Sequence, residues 1–214
     1  MEKIQEAEQL VRVKDHENVS VEDHENVRKG LQRYSQLCFG EGLSADIRLK
    51  ALRSLVKSVP DEGNDMLIRI QDSVKFMKGE SLKSTVKILV GVTRSTDFNS
   101  HQRVYAAVTL FNNCFFNVCY TCFADLANDR SILVNYRVEA SRYLFGSEDE
   151  ENVQIAREAL TEIINTTGYS SEYRYKIIAG FISTTGIATM LNLRKLKVPY
   201  DKEFVCTLQT SFFF

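Results

Sequence analysis

The sequence predicts an all-α protein of stacked antiparallel helix pairs, and three observations predict it. Only 10 Gly and 2 Pro occur in 214 residues, too few to punctuate an all-β sandwich. Apolar residues recur with a helical period along most of the chain, between short connections of Asn, Asp, Gly and Ser. One phase, an Arg followed by an apolar residue, any residue, Ala, and a further apolar residue four on, returns in several segments. The alternative is an irregular helical bundle. A hydrophobic content of 44% is enough to fill a real core, which excludes collagen-like, linker and disordered classes.

Residues 1–41 form an acidic segment, with nine Asp/Glu against six Lys/Arg, in which Ile4, Leu10, Val11, Val27, Leu31, Tyr34 and Leu37 predict helices that pack on the solenoid. The segment holds a duplication, Asp15-His16-Glu17-Asn18-Val19 and Asp23-His24-Glu25-Asn26-Val27, of period eight. Eight residues turn an α-helix about 80° past two full turns, so the copies do not share a face and the duplication is weak support for a site. After a break at 40–43, residues 42–214 read as helical repeats, the last of them incomplete. Ile47, Ala51, Leu55 and Val59 make one row, closed by 60–63; Met66, Ile70, Val74 and Met77 make the next, closed by Gly79. Further helices are predicted at 82–94, 100–112, 115–128, 132–145, 151–165, 171–183, 185–193 and 201–213.

The shared phase is carried by Arg48, Ala51 and Leu55, by Arg103, Ala106 and Leu110, and by Arg137, Ala140 and Leu144, with Arg174 opening a looser fourth copy. The last three arginines stand 34 and 37 residues apart, the length of one helix–turn–helix unit, while the first gap of 55 requires an extra helix. Neither helix of such a pair buries its apolar face alone, whereas stacked pairs make a continuous core. Ala lets neighbouring helices approach, Leu fills the space one turn later, and each Arg is expected to keep its charge in water or bridge to an acidic residue in the next repeat. In these motifs residues 44–214 resemble the HEAT-repeat family, with armadillo-like units the near neighbour. The chain departs from that family in lacking the usual first-helix proline and in the helix at 82–94, which leaves the pairing out of step. The resemblance implies a right-handed HEAT/ARM-like α-solenoid. The Asn-rich turns and short C-terminal units are also similar to uncharacterised HEAT-like proteins of large DNA viruses.

Little catalytic chemistry is legible. Cys114, Cys119 and Cys122 form C-x4-C-x2-C, but Phe115, Phe116, Val118, Tyr120 and Phe123 crowd the segment, and buried thiols are the expected reading rather than an iron–sulfur or zinc site. His16 and His24 sit among acids on a solvated face, and His101 falls at a helix start. No GxSxG, HExxH, Walker A or Rossmann fingerprint occurs, so no enzyme, cofactor, metal or small-molecule substrate is expected. Five cysteines, an odd and irregular set, and an N-terminus without an apolar h-region indicate a reducing, cytoplasmic location. The uncharged stretch 104–124 is long enough to span a bilayer, but Asn112, Asn113 and Asn117 read as a turn between two buried helices, and no membrane insertion is expected.

Two surfaces remain as candidates. The helix predicted at 201–213 presents Phe204, Leu208, Phe212, Phe213 and Phe214 with no second helix after it, which makes an open apolar end for another protein or for self-association. Residues 42–95 carry ten Lys/Arg and six Asp/Glu; Lys50, Arg53 and Lys57 on one helix and Lys83, Lys87 and Arg94 on another could track phosphates, with Arg194, Lys195 and Lys197 extending the strip. The expected function is a non-enzymatic protein-interaction scaffold with an extended helical-repeat surface. The alternative is a nucleic-acid-binding repeat protein that uses the basic strip.

Overall fold

The computed structural model describes residues 2–11, 21–40 and 42–166, together with 168, 170 and 173. Among these the order is α1 (Glu2–Val11), α2 (Val21–Phe39), α3 (Ala45–Ser58), α4 (Pro60–Ser73), a 3-10 turn (Val74–Phe76), α5 (Gly79–Arg94), α6 (Ser100–Asn112), α7 (Phe116–Asn128), α8 (Val134–Phe145) and α9 (Glu150–Asn165), with no strand. The protein is all-α. The fourth copy at Arg174, the helices expected beyond 170, Cys206 and the phenylalanine-rich end lie outside the described residues. So does the first DHENV copy, with His16.

Three connections are built alike. Residues 40–44, 95–99 and 129–133 each join two helices in five residues. Each contains the same turn, in which Leu43, Phe98 and Ile132 donate their N–H groups to Gly40, Ser95 and Asp129 at 3.4, 3.3 and 3.1 Å. Ser44, Asn99 and Leu133 then stand at the N-caps, and their carbonyls accept from Arg48, Arg103 and Arg137 at 3.1, 3.0 and 3.1 Å. The three arginines are therefore all the fourth residue of their helices.

These arginines are not solvated, as the sequence reading expects, but 4–5% exposed. Each donates Nε to a backbone carbonyl ten residues earlier: Arg48 to Cys38 at 2.7 Å, Arg103 to Thr93 at 2.8 Å and Arg137 to Ala127 at 2.8 Å. Cys38, Thr93 and Ala127 are the next-to-last residues of α2, α5 and α7. The physical reason for the correction is that the last turn of a helix leaves carbonyls without intrahelical donors at the negative end of its dipole, which is where a buried cation is best accommodated. Each arginine thus clasps the end of one helix from the start of the next. Arg137 also bridges an acidic residue, but within its own helix pair rather than in the next repeat: its Nη2 meets Glu162 on α9 at 2.9 Å. Ala51, Ala106, Ala140, Leu55, Leu110 and Leu144 are all fully buried.

Compactness divides the chain into residues Met1–Cys119 and Tyr120–Phe214. In the first unit α1 packs on α2, α2 on α3, α3 on α4 and α5 on α6. Each helix also touches the next but one. Glu8 on α1 accepts from Ser54 on α3, Arg69 on α4 lies 5.3 Å over the Phe39 ring at the end of α2, Arg48 on α3 donates to Ser84 on α5 at 3.0 Å, and Gln102 on α6 donates to Asn64 on α4 at 3.4 Å. α3 and α5 run in the same direction, because Arg48 meets Ser84 near their starts while Arg53 and Lys57 reach Asp97, just beyond the end of α5. The buried Tyr34 of α2 shares a 3.0 Å hydrogen bond with Ser54, which ties the acidic segment to α3.

The joint between α3 and α4 differs from the sequence reading. In place of the expected break at 60–63, Pro60 opens α4 at its first position, where its fixed φ suits a helix start and no N–H is needed. Gly63 lies inside that helix because the backbones come close: a Cβ there would stand 2.5 Å from Val56 Cα. Ile47, assigned to the apolar row, is exposed. At the other expected turn, α6 ends in a Schellman motif, with Phe115 N–H donating to Leu110 at 3.0 Å and Cys114 N–H to Phe111 at 2.9 Å. Cys114 takes φ 65°, a conformation usually left to glycine.

In the second unit α8 packs on α9 around buried Val138, Leu160 and Ile163. Phe123 of α7 stacks on Tyr143 of α8 at 4.4 Å between ring centroids, the planes 3° apart. Burial works against the charge of Glu162, but its contacts with Arg137 and Arg130 outweigh that and hold its carboxyl below the usual range. Among the described residues no helix is long and apolar enough to cross a membrane.

Candidate functional site

A groove of about 370 Å³ lies between α4 and α6 in the first unit. Its construction starts at the cap of α6. Asn99 accepts from Gln102 N–H at 2.9 Å, and Gln102 Oε1 accepts in turn from Asn99 N–H at 3.0 Å, a reciprocal capping box. That arrangement fixes the Gln102 side chain and directs its Nε2 to Asn64 Oδ1 on α4 at 3.4 Å. One turn further along α6, Tyr105 is 49% exposed and stacks with His101, ring centroids 5.7 Å apart and planes within 15°. Across from them α4 supplies the fully buried Leu67, Ile68 at 42% exposure, and Gln71.

Gln71 is the unusual member. It is 6% exposed, on the arc of α4 that also buries Met66, Leu67 and Ile70, and its Nε2 is buried with no hydrogen-bond partner among the described residues. An amide donor left unpaired inside a protein costs about 1–3 kcal/mol, which sets Gln71 apart on an otherwise apolar arc. Among the described residues the groove is lined by three carboxamides, buried Leu67, exposed Ile68 and Tyr105, and an imidazole, with no Asp, Glu, Lys or Arg. Such a lining offers hydrogen-bond donors and acceptors together with apolar area, and no strong field. Sequence reasoning singles out only His101 here, as a helix-start residue; the available signal is a Gln standing where α4 otherwise carries apolar residues.

The basic strip is divided by the fold. Lys50, Arg53 and Lys57 are exposed on α3, and Lys83, Lys87 and Arg94 are exposed on α5. Arg53 and Lys57 both pair with Asp97, Lys57 at 2.8 Å. The Lys57 hydrogen bond, with that of Arg53, holds the Asp97 carboxyl below the usual range. Lys83 pairs with Glu80 at 2.6 Å and, with Lys87, borders a second cleft of about 690 Å³ between the start of α5 and the 40–44 connection. Asp46 and Glu80 also line that cleft, so its charge is mixed.

Of the three clustered cysteines, Cys119 and Cys122 are buried on α7, as expected of small apolar residues, while Cys114 is exposed at the turn before it. Burial pushes the Cys38 thiol up to about 12, which keeps it protonated and unreactive. No group of three or more His, Cys, Asp or Glu among the described residues is placed to hold a metal ion. Neither a protein-family model, a curated protein nor a solved structure matches the chain. Among the described residues, then, the chain is an all-helical protein with a neutral, amide-lined groove on one pair of helices.

Proposed function

We propose that the chain is a non-enzymatic protein-interaction scaffold of the α-solenoid kind, one that presents side chains of regularly spaced helices to a protein partner. The observation that carries this reading is the α4–α6 groove, where exposed Ile68 and Tyr105 flank an unpaired buried amide. Contact of each helix in α1–α6 with the next but one supports the stacked-pair arrangement, because a helix bundle closed on a central core has no need of that order. The phenylalanine-rich C-terminal segment is proposed as a second contact on its sequence alone.

The test is affinity capture of the tagged chain from extract of its native cells, divided into nuclease-treated and untreated halves and read by mass spectrometry. A stoichiometric protein retained after nuclease supports the scaffold. Partners lost on nuclease treatment, with binding that weakens steeply in salt, would instead favour nucleic-acid binding through the edge bearing Lys83 and Lys87.

A further inference from the structure

Building on the scaffold reading, we propose that the α4–α6 groove binds an uncharged, extended segment of the partner protein by its main chain, with an apolar side chain of that segment laid between Ile68 and Tyr105. Four features of the groove lead there.

The first is the orphan donor. Gln71 lines the groove with an Nε2 that has no partner among the described residues, and the terminal torsion of a glutamine is broad enough to turn either end of the carboxamide outward. A carbonyl oxygen satisfies it. The second is the absence of charged side chains among the described residues of the lining, which would leave a partner's carboxylate or ammonium desolvated and unpaired. The third separates an extended segment from a helical one: a helix has already committed its carbonyls to its own N–H groups, whereas every carbonyl of an extended segment is available to Gln71 or to the amides of Asn64 and Gln102. The fourth is size. From Asn64 to Gln71 is about 10 Å along α4 at roughly 1.5 Å per residue, which accepts about three residues of extended chain at roughly 3.3 Å each. The volume of about 370 Å³ stays small, so one side chain and the adjoining main chain are the whole footprint.

The experiment pans the full-length chain against a displayed library of random heptapeptides and titrates the enriched peptides by fluorescence anisotropy. The expected result is enrichment of peptides with an uncharged central stretch whose affinity falls at least tenfold for Gln71→Leu and for Tyr105→Ala and is unchanged for Phe76→Ser, an exposed site away from the groove. Replacing the central peptide amide by an ester, which weakens that carbonyl as an acceptor, should lower affinity for wild type and not for Gln71→Leu. Gln71→Leu should melt at or above the wild-type temperature, since it removes an unpaired buried amide. Failure to enrich any peptide, binding indifferent to Gln71→Leu, or a lowered melting temperature in that variant overturns the assignment. A captured protein that binds Gln71→Leu as well as wild type also overturns the groove while leaving the scaffold standing.

Discussion

Replacing Arg48 by Met tests whether the buried arginines hold the helix pairs together. Methionine keeps an unbranched stem of similar reach, so the loss is confined to the guanidinium. Wild-type Arg48 donates Nε to Cys38 O at 2.7 Å and Nη1 to Ser84 Oγ at 3.0 Å. A hydrogen bond from a charged donor contributes about 1.5–3 kcal/mol. A cation at a partly buried helix C-terminus adds up to about 2 kcal/mol. Against these stands the relief of desolvating a charge, which also draws the Arg48 pKa below its usual value. The expected net loss is about 3 kcal/mol. In a chain of this size that lowers the melting temperature by about 6–12 °C, at roughly 2–4 °C per kcal/mol. Urea titration followed by far-UV circular dichroism reads it as a lower midpoint at unchanged slope. Arg48→Lys should recover less than half of the loss, because an ammonium on a flexible stem does not reproduce the side-on Nε geometry. A methionine variant within about 0.5 kcal/mol of wild type, the ordinary scatter of surface substitutions, would refute the clasp. A lysine variant equal to wild type would refute its directionality.

Four other outcomes are expected. Cys114→Gly should raise stability by about 1 kcal/mol by calorimetry, because φ 65° strains any residue with a Cβ. Gly63→Ala should lose about 2 kcal/mol in spite of alanine's better helix propensity, since its Cβ would press on the Val56 backbone. The lowered pKa of Asp97 means that its pairing with Lys57 and Arg53 stabilises fully above the ordinary carboxylate value near ~4 and is lost as pH falls below it, so Asp97→Asn should flatten the acid limb of a melting-temperature-versus-pH curve. Arg174 lies outside the described residues but stands ten residues after Ile164, the next-to-last residue of α9, so the sequence spacing predicts for Arg174→Met a loss comparable to that of Arg48→Met.

Much of the fold is legible in the sequence because its local signals agree. The expected helix at 100–112 has those bounds as α6, where the Asn99 cap and the Asn113 stop are both chemical, and α7, α8 and α9 differ from expectation by two residues or fewer. The α3–α4 joint is misread because Pro and Gly are ambiguous: Pro60 begins a helix as readily as it ends one, and Gly63 answers to a neighbouring backbone rather than to its own φ. The arginine phase is visible, but burial of the guanidinium depends on a carbonyl of the preceding helix, whose end has to be located first. The groove as an assembled site is not legible. It needs Asn64 and Gln102, 38 residues apart, to meet across two helices, and its one local trace is Gln71 on an apolar arc.

The equal connections constrain how this chain can change over evolution. Surface loops are normally where insertions and deletions accumulate. Here one added residue in 40–44, 95–99 or 129–133 would break the turn the three connectors share and lengthen the ten-residue spacing between each arginine and the carbonyl it clasps. Length variation among homologous chains should therefore spare these three connectors and gather at the joint between Ser73 and Gly79, which carries no such arginine. The same asymmetry marks where a foreign epitope or fluorescent tag can be spliced in without disturbing an arginine clasp.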